Sequence, residues 1–389
     1  MGRGMLSDIE VESLVRQTYP FYYQKSARVL DFVSDKDLSL ILPLLVYWTT
    51  SLAYHALDTW QPRWSERYRM HAPEQLSKRN RVKMSRVLQM VVLQHIMQTI
   101  LGYLVLDDTP HLGPYRTDVY PEVAVMQIAS CLRQFFTWIS GADLSRTADI
   151  FTVRGSIALY WWGIPWVQFW GACLIMDAWQ YMLHRLMHEV RFLYRHLHSH
   201  HHRLYVPYAF GALYNHPIEG LLLDTAGAAI AQWCSLLNLR QTMVFFTLST
   251  YKTVSDHCGY AFPWYYHPFH LLFPNNAEYH DVHHQSQGLR YNYSQPFFVH
   301  FDTLLGTRMD PEQFHKILDR AKSRLESSAE DKQDAHRIAT VALPARARES
   351  TVDDKATTQS PYTTATAWSM FLFISILFGP VVAYSLGSM

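Results

Sequence analysis

Charged residues are scarce in this sequence. They make up 17% of its 389 residues, against about a quarter in an ordinary soluble domain. The formal net charge is +1, so bulk charge gives no reason to expect a nucleic acid as a partner. Cysteine is also scarce, and the spacing of its four residues matches no disulfide framework or cysteine metal site, so we expect reduced, structural thiols. They are Cys131, Cys173, Cys234 and Cys258.

A cleavable leader is not evident in the sequence either. The first 37 residues are polar and mixed in charge, without the short apolar core and the small-residue cleavage site of a signal peptide. We therefore expect the first apolar segment to act as an uncleaved anchor.

Long apolar stretches without charge account for a hydrophobic content of 49%. Each is about 20 residues long, enough for a helix to cross a hydrocarbon core of ~30 Å, although a buried core helix gives the same pattern. The predicted spans are Leu38–Leu57, Val87–Leu106, Ile157–Met176 and, at the C-terminus, Ala367–Leu386. Val123–Ile139 contains Arg133 and is expected to be interfacial or buried. Ala226–Leu239 and Met243–Tyr251 are expected to form a helical hairpin that dips into one leaflet.

Positive charge indicates which side of a membrane the loops would occupy. The loop Thr59–Arg86 holds eight basic residues and two glutamates. Short loops rich in lysine and arginine stay on the cytoplasmic side. The segment after Met176 is basic as well, so we expect both to face the cytosol. The side of the N-terminus stays open, because Arg133 leaves the number of crossings undecided.

Histidines are concentrated in one part of the chain, with 14 of the 21 between His184 and His284. Three motifs, "HRLMH", "HSHHH" and "HDVHH", carry rings at helical spacing, so that one helix can present rings to two metals. Since one zinc takes about four ligands, ten imidazoles suit two metals, and imidazole suits iron, zinc and copper. The candidate ligands are His184, His188, His198, His201, His202, His216, His257, His280, His283 and His284.

Each of these features alone has an ordinary explanation. A lone "HxxxH" is usually a surface pair, "HSHHH" alone could be a pH-sensitive or membrane-surface patch, and isolated histidines are often core residues. "HRLMH" is not a zinc-protease motif, because Arg185 occupies the position where that motif needs glutamate. Together the motifs favour a metal centre. Four further histidines out of register are expected near the ligands or at the surface: His196, His200, His267 and His270.

Carboxylates and amides close to the candidate ligands could accept ring N–H groups. Asp177 directly follows an apolar run and precedes His184 by seven residues, so the first ligand helix is expected to continue a membrane span. At ~1.5 Å per residue, the metals would then stand roughly 10–18 Å beyond Asp177, near the headgroups. A solvated carboxylate is the alternative for Asp177. The other candidates of this kind are Asn215, Glu219, Asp224, Asp256 and Asp281.

The histidine pattern, with "NHP" and "HCG" between the motifs, resembles the membrane fatty acid hydroxylase and sterol desaturase superfamily. The stretches "DAWQYMLHRLMH", "KTVSDHCGY", "NNAEYHDVHHQ" and "YNYSQPFFVHFDTLLGT" are most similar to sphinganine C4-hydroxylases. The resemblance covers roughly Val153–Thr307 and the apolar segments before it. The linker and apolar tail beyond Thr307 are not part of the family pattern.

The resemblance implies an activity and its requirements. These are two irons, O2, and electrons from NAD(P)H delivered through cytochrome b5 and its reductase. The reaction would hydroxylate C4 of sphinganine or dihydroceramide, a membrane lipid, to give phytosphingosine or phytoceramide. The implied location is the endoplasmic reticulum membrane, with the active site facing the cytosol. Candidate substrate-binding residues are Tyr205, Tyr208 and Tyr214, for which packing is the alternative.

The expected fold is an all-α integral membrane protein, with transmembrane helices topped by a cytosolic, histidine-rich helical di-metal domain. The expected divisions are a polar segment (1–37), membrane helices and loops (38–150), the catalytic domain (151–307), a polar helix and disordered linker (308–366) and an apolar tail (367–389). Three other functions compete. They are a sterol C4-methyl oxidase or sterol desaturase, a zinc hydrolase, and a metal transporter or sensor.

Overall fold

The computed structural model describes residues 5–21, 23, 28–106, 120–320 and 323. Within these ranges every named element is helical, as expected, and the β-bridges Leu30–Val33 and Arg69–Tyr260 are isolated. The α-helices are α1 Asp8–Gln17, α2 Asp35–Trp60, α3 Arg63–Glu66, α4 Pro73–Arg79, α5 Met84–Val105, α6 Pro121–Ser140, α7 Arg146–Ala158, α8 Ile164–Glu189, α9 Arg191–His196, α10 Pro217–Gly220, α11 Gly227–Cys234, α12 Leu239–Asp256, α13 Ala277–His284 and α14 His300–Leu304. The 3-10 helices are His198–Arg203, Ala209–Leu213 and Pro268–Leu271, and the π-helical segments are Leu159–Gly163 and Leu221–Ala226.

Among the described residues, two helices, α2 and α5, are long and apolar enough to cross a membrane, with 26 and 22 residues. They contain the predicted spans 38–57 and 87–106, except that Leu106 caps α5. Ser34 begins α2 by accepting a hydrogen bond from the N–H of Asp37 at 3.0 Å. Gln61, with φ of 47°, ends it, because a left-handed residue cannot continue a right-handed helix. The predicted tail span 367–386 and the predicted linker lie outside the described residues.

The third predicted span, 157–176, is not one uninterrupted apolar α-helix. α7 ends at Ala158, the π-helical segment follows, and α8 begins at Ile164 with Pro165 in its first turn. Proline fits there because N–H groups in a first turn have no intrahelical partner. α8 then runs for 26 residues to Glu189. The helix that leaves the apolar stretch therefore also carries His184 and His188.

The charge that interrupts the segment 123–139 is neutralised inside the helical bundle. Arg133 on α6 binds the fully buried carboxylate of Asp149 on α7, with N···O distances of 2.6 and 2.9 Å. The same carboxylate accepts the backbone N–H of Leu6, which attaches the segment before α1. Trp138 and Ile139 at the end of α6 remain exposed. The segment is thus packed into the bundle through Ala124, Val125 and Ala129, with its one charge paired to a buried carboxylate and its apolar end exposed.

Large apolar side chains are exposed on the outer faces of the long helices. On α2 and α5 they include Leu45, Leu52, Ile96, Ile100 and Leu104. On α8 they include Trp166 and Val167. A monomeric soluble domain rarely exposes so much apolar surface, so these faces suit an apolar environment.

Two buried clusters support the elements that carry histidines. One joins α2, α5, the segment 204–214 and α12 through residues such as Tyr47, Val91, Leu204 and Val254. The other joins α8, α11, α12 and the segment around Phe297. α12 packs along α2, and α11 packs against α8. α12 also contacts α8 and α13. The ring of His283 on α13 lies 4.5 Å from that of His184 near the C-terminal end of α8, and the ring of His280 on α13 lies 4.3 Å from that of His257, which caps α12.

Candidate metal centre

Five histidine rings form a first group, group one, at the C-terminal end of α8. The ligand atoms of all five lie within 4.8 Å of one another. Nε2 of His198 is 3.0 Å from Nε2 of His184 and 3.0 Å from Nε2 of His202. Nε2 of His202 is also 3.1 Å from Nε2 of His188. His283 completes the group.

Four rings form a second group, group two: His201, His257, His280 and His284. Nε2 of His257 lies 3.0 Å from Nε2 of His280 and 3.4 Å from Nε2 of His201. Nε2 of His280 is 3.1 Å from Nε2 of His284. All four rings are buried. Nine of the ten predicted ligands therefore lie in two compact groups.

The position of the proton on each ring indicates whether a short Nε2···Nε2 contact is a hydrogen bond or a meeting of two lone pairs. Five Nδ1 atoms lie 2.7–3.2 Å from backbone carbonyl oxygens, which can only accept a hydrogen bond. In a neutral ring with Nδ1–H, Nε2 carries a lone pair and no hydrogen. The contact between His201 and His257 is therefore lone pair to lone pair, which a bound cation would stabilise.

The distances also fit a cation between the rings. Two nitrogens bound to one metal at about 2.1 Å are about 3.0 Å apart at a right angle and about 3.4 Å apart at a tetrahedral angle. The observed Nε2 separations, 3.0–3.4 Å, span this range. Nitrogen-only donors of this kind suit iron, zinc or copper. The residues present therefore fit a pair of transition metals.

The backbone carbonyls that orient the rings were not among the predicted site groups. Tyr293 and Tyr291 hold His184 and His283 in group one. In group two, the acceptors for His201, His257 and His284 are the carbonyls of Tyr214, Thr253 and Leu204. A backbone acceptor has no residue-type signature, so sequence reasoning could not identify it.

Burial, together with neighbouring rings at most positions, lowers the pKa of all nine imidazoles. The pKa falls to about 3 for His198 and His257 and to about 4 for His201. At neutral pH these rings are uncharged, which is the state in which an imidazole nitrogen binds a metal.

The tenth predicted ligand, His216, is in neither group. It is the N-cap of α10, where its Nδ1 accepts the backbone N–H of Ile218 at 3.3 Å and its ring packs on His200. The proline after it explains this position, because proline favours the first turn of a helix and makes the preceding residue the cap. His196, His200, His267 and His270 also lie outside both groups.

Of the predicted ring acceptors, Glu219 contacts a ligand directly. Its Oε1 lies 2.5 Å from Nδ1 of His198, and both side chains are almost completely buried. Burial raises the pKa of Glu219 to about 7. The side-chain amide of Asn215 donates to the carboxylate of Asp224 instead, at 3.4 Å. Glu219 therefore helps to orient a ring of group one.

The other four predicted acceptors have different partners. Asp177 is fully buried and accepts the backbone N–H groups of Phe297 and Phe298 at 3.1 and 2.6 Å, so both the ring-acceptor and the solvated interpretations were wrong. The remaining partners are Lys252 for Asp256, His71 for Asp281, and the amides of Gln94, Gln180 and Asn215 for Asp224.

The three tyrosines proposed as substrate contacts have structural partners. Tyr208 and Tyr214 are buried in the cluster that includes α12. The hydroxyl of Tyr205 accepts the N–H of Ser286, and the guanidinium of Arg79 lies 4.0 Å from its ring centre. Packing therefore accounts for all three.

Asp302 is a supporting residue that the sequence pattern did not reveal. It is fully buried and accepts the hydroxyl of Tyr279 and the N–H groups of Tyr293 and Ser294. It thereby fixes Tyr293, whose carbonyl orients His184. Its only sequence signal is "HFDTLLGT", after the last histidine motif.

Comparison with known proteins identifies the family. The fatty acid hydroxylase family model matches residues 169–307. Sphingolipid C4-hydroxylase SUR2 of Saccharomyces cerevisiae is 42% identical over 72% of this chain and 73% of its own length. Sphinganine C4-monooxygenase 1 of Arabidopsis thaliana is 39% identical over 71% and 89%. The chain belongs to the fatty acid hydroxylase family. It is an enzyme of the monooxygenase class.

Other relatives of the chain carry different names. Very-long-chain aldehyde decarbonylase GL1-9 of Oryza sativa subsp. japonica is 40% identical over 72% of this chain and 90% of its own length. Relatives named for sterol oxidation match 35% and 36% of this chain, so the sterol alternative has less support. No solved structure matches the chain.

Proposed function

We propose that this chain hydroxylates C4 of a sphingoid long-chain base such as sphinganine, with two irons held by the nine grouped histidines. The observation that carries the proposal is the approach of ring Nε2 atoms to 3.0–3.4 Å of one another in two adjacent groups. The names of the relatives that match most of the chain supply the substrate class.

The chemistry of the reaction explains why a metal centre is needed. C4 of sphinganine is an unactivated methylene, and no acid or base side chain removes hydrogen from such a carbon. Irons bound in both groups would supply reductive activation of O2. One oxygen atom enters the C–H bond and the other leaves as water, so two electrons and two protons are consumed. We propose NAD(P)H as their source, through cytochrome b5 and its reductase.

The protein's own residues have separate tasks in this scheme. The backbone carbonyls and Glu219 keep six of the nine rings in the tautomer that presents Nε2. Seven of the nine histidines are buried away from water, while His188 and His202 are half-buried. Asp177 and Asp302 hold the segment 293–298, and Tyr293 in that segment orients His184.

We propose that the enzyme sits in the endoplasmic reticulum membrane, with α2 and α5 as spans and the histidine groups facing the cytosol. The exposed apolar faces of α2, α5 and α8 support a lipid environment. The basic loop 59–86 connects α2 to α5 and supports a cytosolic face for that end. This arrangement would give the centre access to a lipid that is still in the bilayer.

One reconstituted reaction tests the proposed function. The purified full-length protein, reduced through cytochrome b5 and its reductase, is given sphinganine with and without O2. Mass spectrometry should find a product one oxygen heavier, with the hydroxyl at C4, only when O2 is present. A methylsterol and a long-chain aldehyde serve as parallel substrates. Turnover of either, without turnover of sphinganine, would overturn the assignment.

A further inference from the structure

A cavity of about 200 Å³ lies between α2, α5, the π-helical segment 221–226, α11 and α12. Its walls are mostly apolar, with residues such as Leu44, Val105 and Phe246. The cavity borders the metal centre, because Thr253 lines it and also offers the carbonyl that holds His257. An alkyl chain could therefore lie in the cavity with one end beside group two.

Asp224 is the one ionisable side chain among the described residues that line this cavity. Its carboxylate accepts hydrogen bonds from neutral amides, Gln94 at 3.1 Å, Asn215 at 3.4 Å and Gln180 at 3.5 Å. It forms no ion pair within the described part of the chain. A carboxylate that has lost water and gained no opposite charge is costly, and a cation would compensate it.

Polar atoms beside Asp224 also lack partners. Among the described residues, Oε1 of Gln94, Oε2 of Glu219 and Oγ1 of Thr225 are buried without a hydrogen bond. The residues Gln94 and Glu219 are 3% and 0% exposed. A Cβ on Gly220 would lie 2.0 Å from both amide atoms of Gln94, so glycine at 220 leaves room for this amide. Thr225 lines the cavity, and Gln94 is hydrogen-bonded to Asp224. Because buried polar groups are normally paired, the free atoms of these two residues indicate a ligand that donates hydrogen bonds.

We propose that Asp224 binds the ammonium group of a free sphingoid base, while the neighbouring free oxygens receive its hydroxyl groups and the apolar cavity holds its chain. The inference rests on the proposed function and narrows its substrate to the free base. The amine of sphinganine is two carbons from C4, so its binding group must border the metal centre. Asp224 meets this condition, because it accepts a hydrogen bond from Asn215. The residue before Asn215 is Tyr214, whose backbone carbonyl holds the ring of His201 in group two.

The substitution Asp224→Asn tests the inference, because asparagine keeps the shape and removes the charge. With full-length enzyme, KM for sphinganine should rise roughly ten- to hundred-fold, the loss expected when a hydrogen bond to a charged group is removed. KM for a short N-acyl sphinganine, which is uncharged at nitrogen, should change little. Asp319→Asn makes the same chemical change at an exposed position and should alter neither value.

A binding measurement separates this inference from the proposed function. Octadecylamine should protect the wild-type protein from thermal unfolding more than octadecanol does, and the preference should disappear in D224N but persist in D224E. Equal protection by both compounds in the wild type, or an unchanged preference in D224N, overturns the role of Asp224 even if sphinganine is hydroxylated. An amine preference that depends on Asp224, without hydroxylation, overturns the proposed function alone.

Discussion

His201 and His202 are adjacent in sequence, but their Nε2 atoms belong to different ring groups. Nε2 of His202 is 3.1 Å from that of His188, whereas Nε2 of His201 is 3.4 Å from that of His257. One 3-10 helix therefore contributes to both groups. α13 does the same, because consecutive helical residues point about 100° apart. The two proposed metals are thus held by the same two helices, so a substitution in one ring group should also alter the geometry of the other.

Removing one ring from each group should have separable effects on metal content. We expect His188→Ala to lower occupancy chiefly in group one and His280→Ala chiefly in group two, because each ring reaches only its own group. Both variants should form no 4-hydroxylated product while still reaching the membrane. Metal analysis of the purified proteins, alongside product measurement, checks this. Full metal content and normal product in either variant would remove that residue from the ligand set.

His216→Ala should behave differently from the ligand variants. His216 caps α10 and lies outside both groups, so we expect metal content to match the wild type. Loss of the cap should cost about 1 kcal/mol of stability. The measurement pairs metal analysis with the thermal unfolding midpoint. A loss of metal as large as that in His188→Ala would mean that His216 moves into the centre when metal binds.

Acidification should destabilise the metal-free protein. Burial holds the folded-state pKa of His198 and His257 at about 3 and that of His201 at about 4, below the value of 6.5 for a free ring. Between about pH 6.5 and pH 4 the unfolded chain therefore binds more protons, so the free energy of unfolding falls as pH is lowered. Thermal unfolding of chelator-treated protein across this window checks the sign. A midpoint that rises on acidification would contradict it.

Asp177→Ala should destabilise the protein and disturb group one indirectly. It leaves the N–H groups of Phe297 and Phe298 buried without an acceptor, at a cost of about 1–3 kcal/mol each. The neighbouring Tyr293 carbonyl, which orients His184, should then be less firmly held. Thermal unfolding and metal affinity should both decline. Asp319→Ala, at an exposed site, is the control. Unchanged stability would argue against the structural role of Asp177.

Local spacing predicts part of this centre, because helices are local structures. His280, His283 and His284 are brought together by one helical turn, and "HRLMH" by another. His216 lies outside both groups, since its position depends on the turn that Pro217 imposes. The role of Asp177 depends on a segment 120 residues later in the chain, and no local pattern can encode such a contact.

The length and composition of the apolar stretches likewise predict α2 and α5, but they do not predict the π-helical segment that begins at Leu159. The segment 157–176 has the composition of a span, yet a π-helical turn and Pro165 divide it. Composition averages over such a stretch, whereas helix continuity depends on hydrogen bonds at individual positions. The predicted helical content of this segment is therefore present, with a π-helical turn that composition could not indicate.

The backbone carbonyls that hold five rings have a consequence for how this enzyme can change during evolution. Every amino acid supplies a carbonyl, so the side chain of Tyr291, for example, can drift while the acceptor for His283 stays in place. Insertions and deletions are different, because they displace the acceptor itself. Selection on these connecting segments should therefore act on their length more strongly than on their amino-acid sequence.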